Sequence, residues 1–169
     1  MKRLLFLFFL LLCFQVGIAQ IISANIGING LHCSACSYGT EKSIRKLSFV
    51  KDVKMDLNGH MAEITFKEGT KPDFDALVQK VYDAGFSVRS VYVIFNFSNL
   101  EVKNNFCYEE GNSSFHFINV KEQALNGYVP LLLIGDKMMP KKDLAKWKSD
   151  MMDKKCSANK DSKVYTVTL

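Results

Sequence analysis

Cys33 and Cys36 stand three positions apart in Gly30-Leu31-His32-Cys33-Ser34-Ala35-Cys36. The stretch follows an alternating apolar run and precedes a helical pattern, so the two thiols fall on a loop and on the first turn of a helix. Backbone N–H groups without an intrahelical partner point towards that position, and the helix dipole favours negative charge there. Both effects favour the thiolate, the form that binds soft metals and attacks disulfides. The pair is therefore either a soft-metal clamp or a redox dithiol.

Other residues with chemical potential are sparse. His32 lies directly before Cys33 and is a candidate third ligand or proton donor. His60 falls at a hairpin, expected far from the dithiol, and His116 lies in the second half; both read as surface residues. Met138, Met139, Met151 and Met152 could offer thioethers to Cu(I), but core filling explains them more simply. No Ser–His–carboxylate pattern, phosphate loop or catalytic carboxylate pair stands out, so the chain is not read as an enzyme of those classes.

Residues 1–19 have the pattern of a secretory signal. Lys2 and Arg3 precede an uncharged apolar run from Leu4 to Phe14, and Gly17-Ile18-Ala19 supplies small residues for cleavage after Ala19. The run is short for a bilayer span, so no membrane span is expected after cleavage. A periplasmic or secreted protein follows. Four cysteines remain once Cys13 is removed, and an oxidising compartment makes Cys107 and Cys156 a disulfide candidate. Such a bond would contribute about 4 kcal/mol on the chain-entropy account. The formal charge of +5 includes Lys2 and Arg3, and no dense basic run indicates nucleic acid.

The elements that must hold the dithiol follow from periodicity. Ile22, Ala24, Ile26 and Ile28 alternate with polar residues or glycine as a half-buried strand. Cys36, Thr40, Ser43, Ile44 and Leu47 form one face of a helix, opposite the mostly basic Glu41, Lys42, Arg45 and Lys46. Val50, Val53, Met55 and Leu57 give a second strand, Asn58-Gly59 a two-residue hairpin turn, and Ala62, Ile64 and Phe66 a third strand. Pro72 marks the start of a helix with a Phe74, Leu77, Val78 and Val81 stripe, and Gly85 its left-handed cap. A fourth strand opens at Phe86. The order strand–helix–strand–strand–helix–strand is the ferredoxin-like split arrangement.

With those residues in place, the region 24–90 resembles the heavy-metal-associated domain, found in copper chaperones, copper-exporting ATPases and the periplasmic mercury-binding protein. The family pattern has a Gly-Met-x-Cys-x-x-Cys loop, a Gly-Val-x-x-Val strand and a late Gly-Tyr or Gly-Phe. Gly30, Cys33, Cys36, Val50, Val53, Gly85 and Phe86 stand at those positions. Leu31 replaces the Met that supports the loop, Phe49 replaces the Gly before Val50, and Thr40 and Ser43 occupy usual Val and Ala positions. The resemblance implies metal binding through Cys33 and Cys36, with Cu(I) ahead of Hg(II) and Zn(II), and exchange with a metal-donor or metal-acceptor protein. The alternative is a thiol–disulfide oxidoreductase that uses the same pair.

Residues 91–169 read as a second, mostly-β domain in an α+β chain whose first domain covers 20–90. Strands are expected over 91–97, 104–108, 114–120, 127–134 and 164–168, with one helix over 141–152 carrying Leu144, Trp147 and Met151. A small barrel or sheet results, similar to an oligonucleotide-binding-type barrel. Tyr128-Val129-Pro130-Leu131 is also similar to the cis-proline strand of glutaredoxins, which would place Pro130 against a redox substrate.

Overall fold

The computed structural model describes residues 20–152, 156 and 162–169. The expected signal segment, including Cys13, lies outside them. Strand β1 (Gln20–Asn29) leads into helix α1 (Ser34–Ile44), followed by β2 (Val50–Asp56), β3 (Met61–Phe66) and helix α2 (Phe74–Asp83). Strand β4 runs from Ser87 to Val102, and β5 (Cys107–Glu110) and β6 (Ser113–Phe117) form a hairpin. Strand β7 (Gln123–Ile134), the helical segments α3 (Lys141–Leu144) and α4 (Lys148–Met151) and strand β8 (Lys163–Thr168) complete the chain.

The eight strands among the described residues join one sheet in the order β2-β3-β1-β4-β7-β8-β6-β5. The first four form the expected ferredoxin-like arrangement. The expected barrel does not close: the second half continues the same sheet outwards and leaves β2 and β5 as its edges. The cause is β4, whose sixteen residues exceed what β1 can pair with. Its first part pairs antiparallel with β1, from Ser87 to Asn96, and its other edge takes β7 from Tyr92 to Val102. Residue 90, the expected division, falls inside this strand.

The core crosses the same point. Val88, Val91, Val93, Phe95 and Phe97 of β4 are buried with Leu77, Val78 and Val81 of α2 and with Phe115 and Val167 from the far strands. Phe74, fully buried at the start of α2, touches Phe66 (6.1 Å between ring centroids), Phe115 (6.3 Å) and Tyr165 (5.1 Å). Such tilted and edge-to-face contacts suit aromatic quadrupoles. On β7, Leu131 and Leu133 join this core, whereas Leu132 and Ile134 face a second cluster with Ile118, Met139, Leu144, Trp147 and Met151. Successive residues of a strand point to opposite faces, so the late helical segments cover the back of the sheet. Met138 and Met139 are buried, which leaves their thioethers filling space.

Ion pairs lock the C-terminal strand to α2. Lys163 Nζ lies 2.7 Å from Asp73 Oδ1 and 3.0 Å from Asp75 Oδ2. Asp73 is also the N-cap of α2, accepting from the Asp75 and Ala76 N–H groups, so the helix begins at Phe74, two residues later than Pro72 suggests. Burial pushes the Asp73 carboxyl upwards, but the bonds from Lys163 and the two amides hold it below the ordinary carboxylate value.

Pro130 sits in β7 opposite Ile94, exposed and with a trans peptide. It lies beyond the part of β7 that β8 covers, where a missing N–H is tolerated. β4 separates β7 from β1, so the glutaredoxin-like placement of Pro130 beside the dithiol does not form.

Two outcomes follow. Phe74→Ala should cost about 3–5 kcal/mol and keep one urea transition for both halves; two separated transitions would show that the halves unfold independently. Because folding depresses the Asp73 value, its contribution is present above the unfolded carboxylate value and lost as pH falls through the lower folded one. Acid titration of stability should therefore flatten in Lys163→Met within that window, and an unchanged acid limb would contradict it.

Candidate metal centre

The dithiol loop is built from its buried neighbours outwards. β1 is pinned on both sides, by β3 and by β4, up to its last residues. The chain then turns at Gly30, whose φ of +85° is in the left-handed region that glycine adopts at no steric cost. Leu31, at the family's usual Met position, is fully buried and anchors the loop in the core. After it, His32 and Cys33 emerge into solvent.

Cys33 is the N-cap of α1. Its backbone is extended, and its Sγ accepts from the Cys36 N–H at 3.1 Å, so one of the helix's unpaired amides is aimed at the sulfur. Cys33 is exposed and Cys36 half-buried. Their Cα atoms are 5.3 Å apart with the sulfurs adjacent, a spacing that suits a disulfide and brings two thiols within reach of one ion. One geometry serves both chemistries.

The buried side of α1 carries Ser37, Thr40 and Ile44. Thr40 Oγ1 donates to the Cys36 carbonyl at 3.1 Å and Ser37 Oγ to the Ser34 carbonyl at 2.9 Å, so both hydroxyls are satisfied within the helix. That is how Thr40 occupies usual Val ground; Ser43, at the usual Ala position, is only half-buried. Of the supposed basic face, Arg45 is committed to Glu41 (2.7 Å), Asp52 (2.7 Å) and the Val53 carbonyl, tying α1 to β2. Lys42 and Lys46 remain exposed.

Phe86 explains the late Gly-Phe. Gly85, with φ of +87°, caps α2, and the Phe86 N–H returns to the Val81 carbonyl. This brings the Phe86 ring against the loop, 3.5 Å from where a Gly30 Cβ would stand, and beside Cys36 along an open groove with Ala35, Gly39 and Thr40.

Two histidines differ from expectation. His60 is not far from the dithiol: β2 and β3 are joined by residues 57–60, and left-handed φ falls on His60 (49°) rather than on Asn58-Gly59. The turn is longer than the two-residue hairpin expected. Asp56 Oδ1 accepts from the Asn58 N–H, and the Ile28 N–H donates to the His60 carbonyl. His60 Nδ1 thus reaches the Leu31 carbonyl at 2.8 Å, and its ring meets His32. The missed signal was pairing: β3 is antiparallel to β1, so the β2–β3 loop lies at the same end as the dithiol. His116 is buried in β6, with Nε2 3.2 Å from Asn105 Oδ1, and does not read as a surface residue. Cys107 and Cys156 have Cα atoms 5.7 Å apart, remote in sequence from the dithiol.

Residues 26–87 match the heavy-metal-associated domain. The segment contains the end of β1, the dithiol, helices α1 and α2 and strands β2 and β3, and ends as β4 begins. It is also similar to a copper-exporting P-type ATPase of Staphylococcus haemolyticus, 32% identical over 39% of this chain, and to a copper-transporting ATPase of Helicobacter pylori, 35% identical over 36%. The matched part is 8% of each ATPase's length. Among solved structures, oxidized MerP from Ralstonia metallidurans CH34 is 29% identical, covering 41% of this chain and 96% of that one, with a TM-score of 0.34. A score at that level adds nothing to the family match.

The heavy-metal-associated segment depends on Gly30 for its loop. Gly30→Ala should destabilise by about 1–2 kcal/mol through the left-handed penalty, measured by urea denaturation; no loss would show that the loop adopts another turn.

Proposed function

We propose that this protein is an exported carrier of a soft metal ion, which it holds between the Cys33 and Cys36 thiolates and passes on by ligand exchange. The observation that carries this reading is the dithiol at the N-terminus of α1 inside the segment that matches the heavy-metal-associated domain. The copper ATPases to which that segment is similar favour copper as cargo.

Softness selects Cu(I) or Hg(II) over hard cations, and Cu(I) is our first assignment. Among the described residues no group of three or more His, Cys, Asp or Glu side chains is arranged to hold a metal ion. Zinc, which favours four ligands, fits less well. Two thiolates leave a coordination position open. The exposed Cys33 can be displaced first by a thiolate of a donor or acceptor protein, while the half-buried Cys36 keeps hold of the ion. Loading requires both thiols reduced and deprotonated. No helix among the described residues is long and apolar enough to cross a membrane, and we assign the protein to the periplasm or the secreted fraction. There we read Cys107 and Cys156 as a disulfide that ties edge strand β5 to the segment before β8, with peptide mapping under non-reducing conditions as its check.

The adjacency of the Cys33 and Cys36 sulfurs favours one second reading, a thiol–disulfide oxidoreductase with Cys33 as nucleophile. Anaerobic titration of the reduced protein with Cu(I) against a colorimetric chelator separates the two. The carrier reading expects one copper per chain, lost in Cys33→Ser/Cys36→Ser. Equal retention by parent and variant would sink it and leave the redox reading.

A further inference from the structure

Two imidazoles meet beside the dithiol loop. His32 projects from the loop itself and His60 from the β2–β3 turn, with ring centroids 4.8 Å apart and planes at 80°. His60 Nδ1 lies 2.8 Å from the Leu31 carbonyl oxygen. A carbonyl can only accept, so Nδ1 carries the proton and Nε2 of the neutral ring keeps its lone pair. A ring that donates one N–H to a backbone carbonyl and presents its other nitrogen bare has the orientation and tautomer of a metal-ligating histidine. The left-handed φ of 49° at His60 closes the β2–β3 turn. Its partner His32 is exposed, so an ion can reach the pair from solvent.

We propose that His32 and His60 form a second metal site, a two-imidazole site for a borderline divalent cation, with Cu(II) foremost. Imidazole suits such ions better than Cu(I), and Cu(II) stands highest in the affinity order of the divalent first-row metals. Water completes the coordination, because no third His, Cys, Asp or Glu among the described residues joins a metal-holding group. The site does not use the thiols. It is available when Cys33 and Cys36 are joined to each other, the state in which the dithiol cannot hold metal.

The test uses the full protein with Cys33 and Cys36 oxidised to a disulfide, so that they neither bind nor reduce the ion, and Cu(II) alone as the probe. Calorimetric titration should show one saturable equivalent, with the His32 and His60 ring resonances broadening before others. His32→Ala, which removes an exposed ring and leaves the His60–Leu31 bond in place, should weaken binding by about tenfold or more, as should His60→Gln. If His60→Gln perturbs the loop, His32→Ala alone decides. Absence of saturable binding by the parent, curves for His32→Ala that overlay the parent, or first broadening elsewhere in the chain would each overturn the site. Because the thiols are oxidised throughout, these outcomes are independent of the Cu(I) assignment.

Discussion

The constraint on which the structure depends is the uninterrupted pairing of β4. Backbone amides and carbonyls buried in a sheet must find partners, and this strand finds them in β1 on one edge and β7 on the other. Its inward residues, from Val88 to Phe97, supply apolar surface to both halves of the sheet. The heavy-metal-associated segment therefore has no free outer edge at β4. That edge is the base for four more strands, and the aromatic contacts of Phe74 with Phe115 and Tyr165 close the core across the join.

This constraint reaches the dithiol through β1. The strand is held by β3 and β4 almost to its end, and the buried Leu31 fixes where the loop leaves the core. From there, local chemistry is enough: a left-handed glycine, an extended N-cap and one amide aimed at Cys33 Sγ. Phe86 and His60 then bring the ends of two further connections against the same loop. Cys33 is exposed and Cys36 half-buried, so the two sulfurs differ in their access to solvent.

Local pattern in the sequence revealed the first four strands and both long helices. Alternation in β1 and β3 and the Phe74, Leu77, Val78 and Val81 stripe all correspond to buried faces. The late strands were also legible, but their assembly was not. A run such as Leu131–Ile134 shows that both faces of a strand are covered, without showing that one cover is the first domain's core and the other the Trp147 segment. The same limit applied to the histidines. His60 looked remote because its hairpin was placed at the far end of the fold from the dithiol, and only the antiparallel register of β1 and β3 brings the two rings together. His116 looked like a surface residue until parallel pairing of β6 with β8 buried it.

The central claim is that two sulfurs, and no other side chains, hold the cargo. X-ray absorption at the copper edge of the reduced, anaerobically Cu(I)-loaded protein tests it most directly. The account predicts a first shell of sulfur scatterers only, matching the Cys33 and Cys36 thiolates, with low coordination number. A nitrogen or oxygen scatterer in the first shell, or the lack of a sulfur pair, would contradict it.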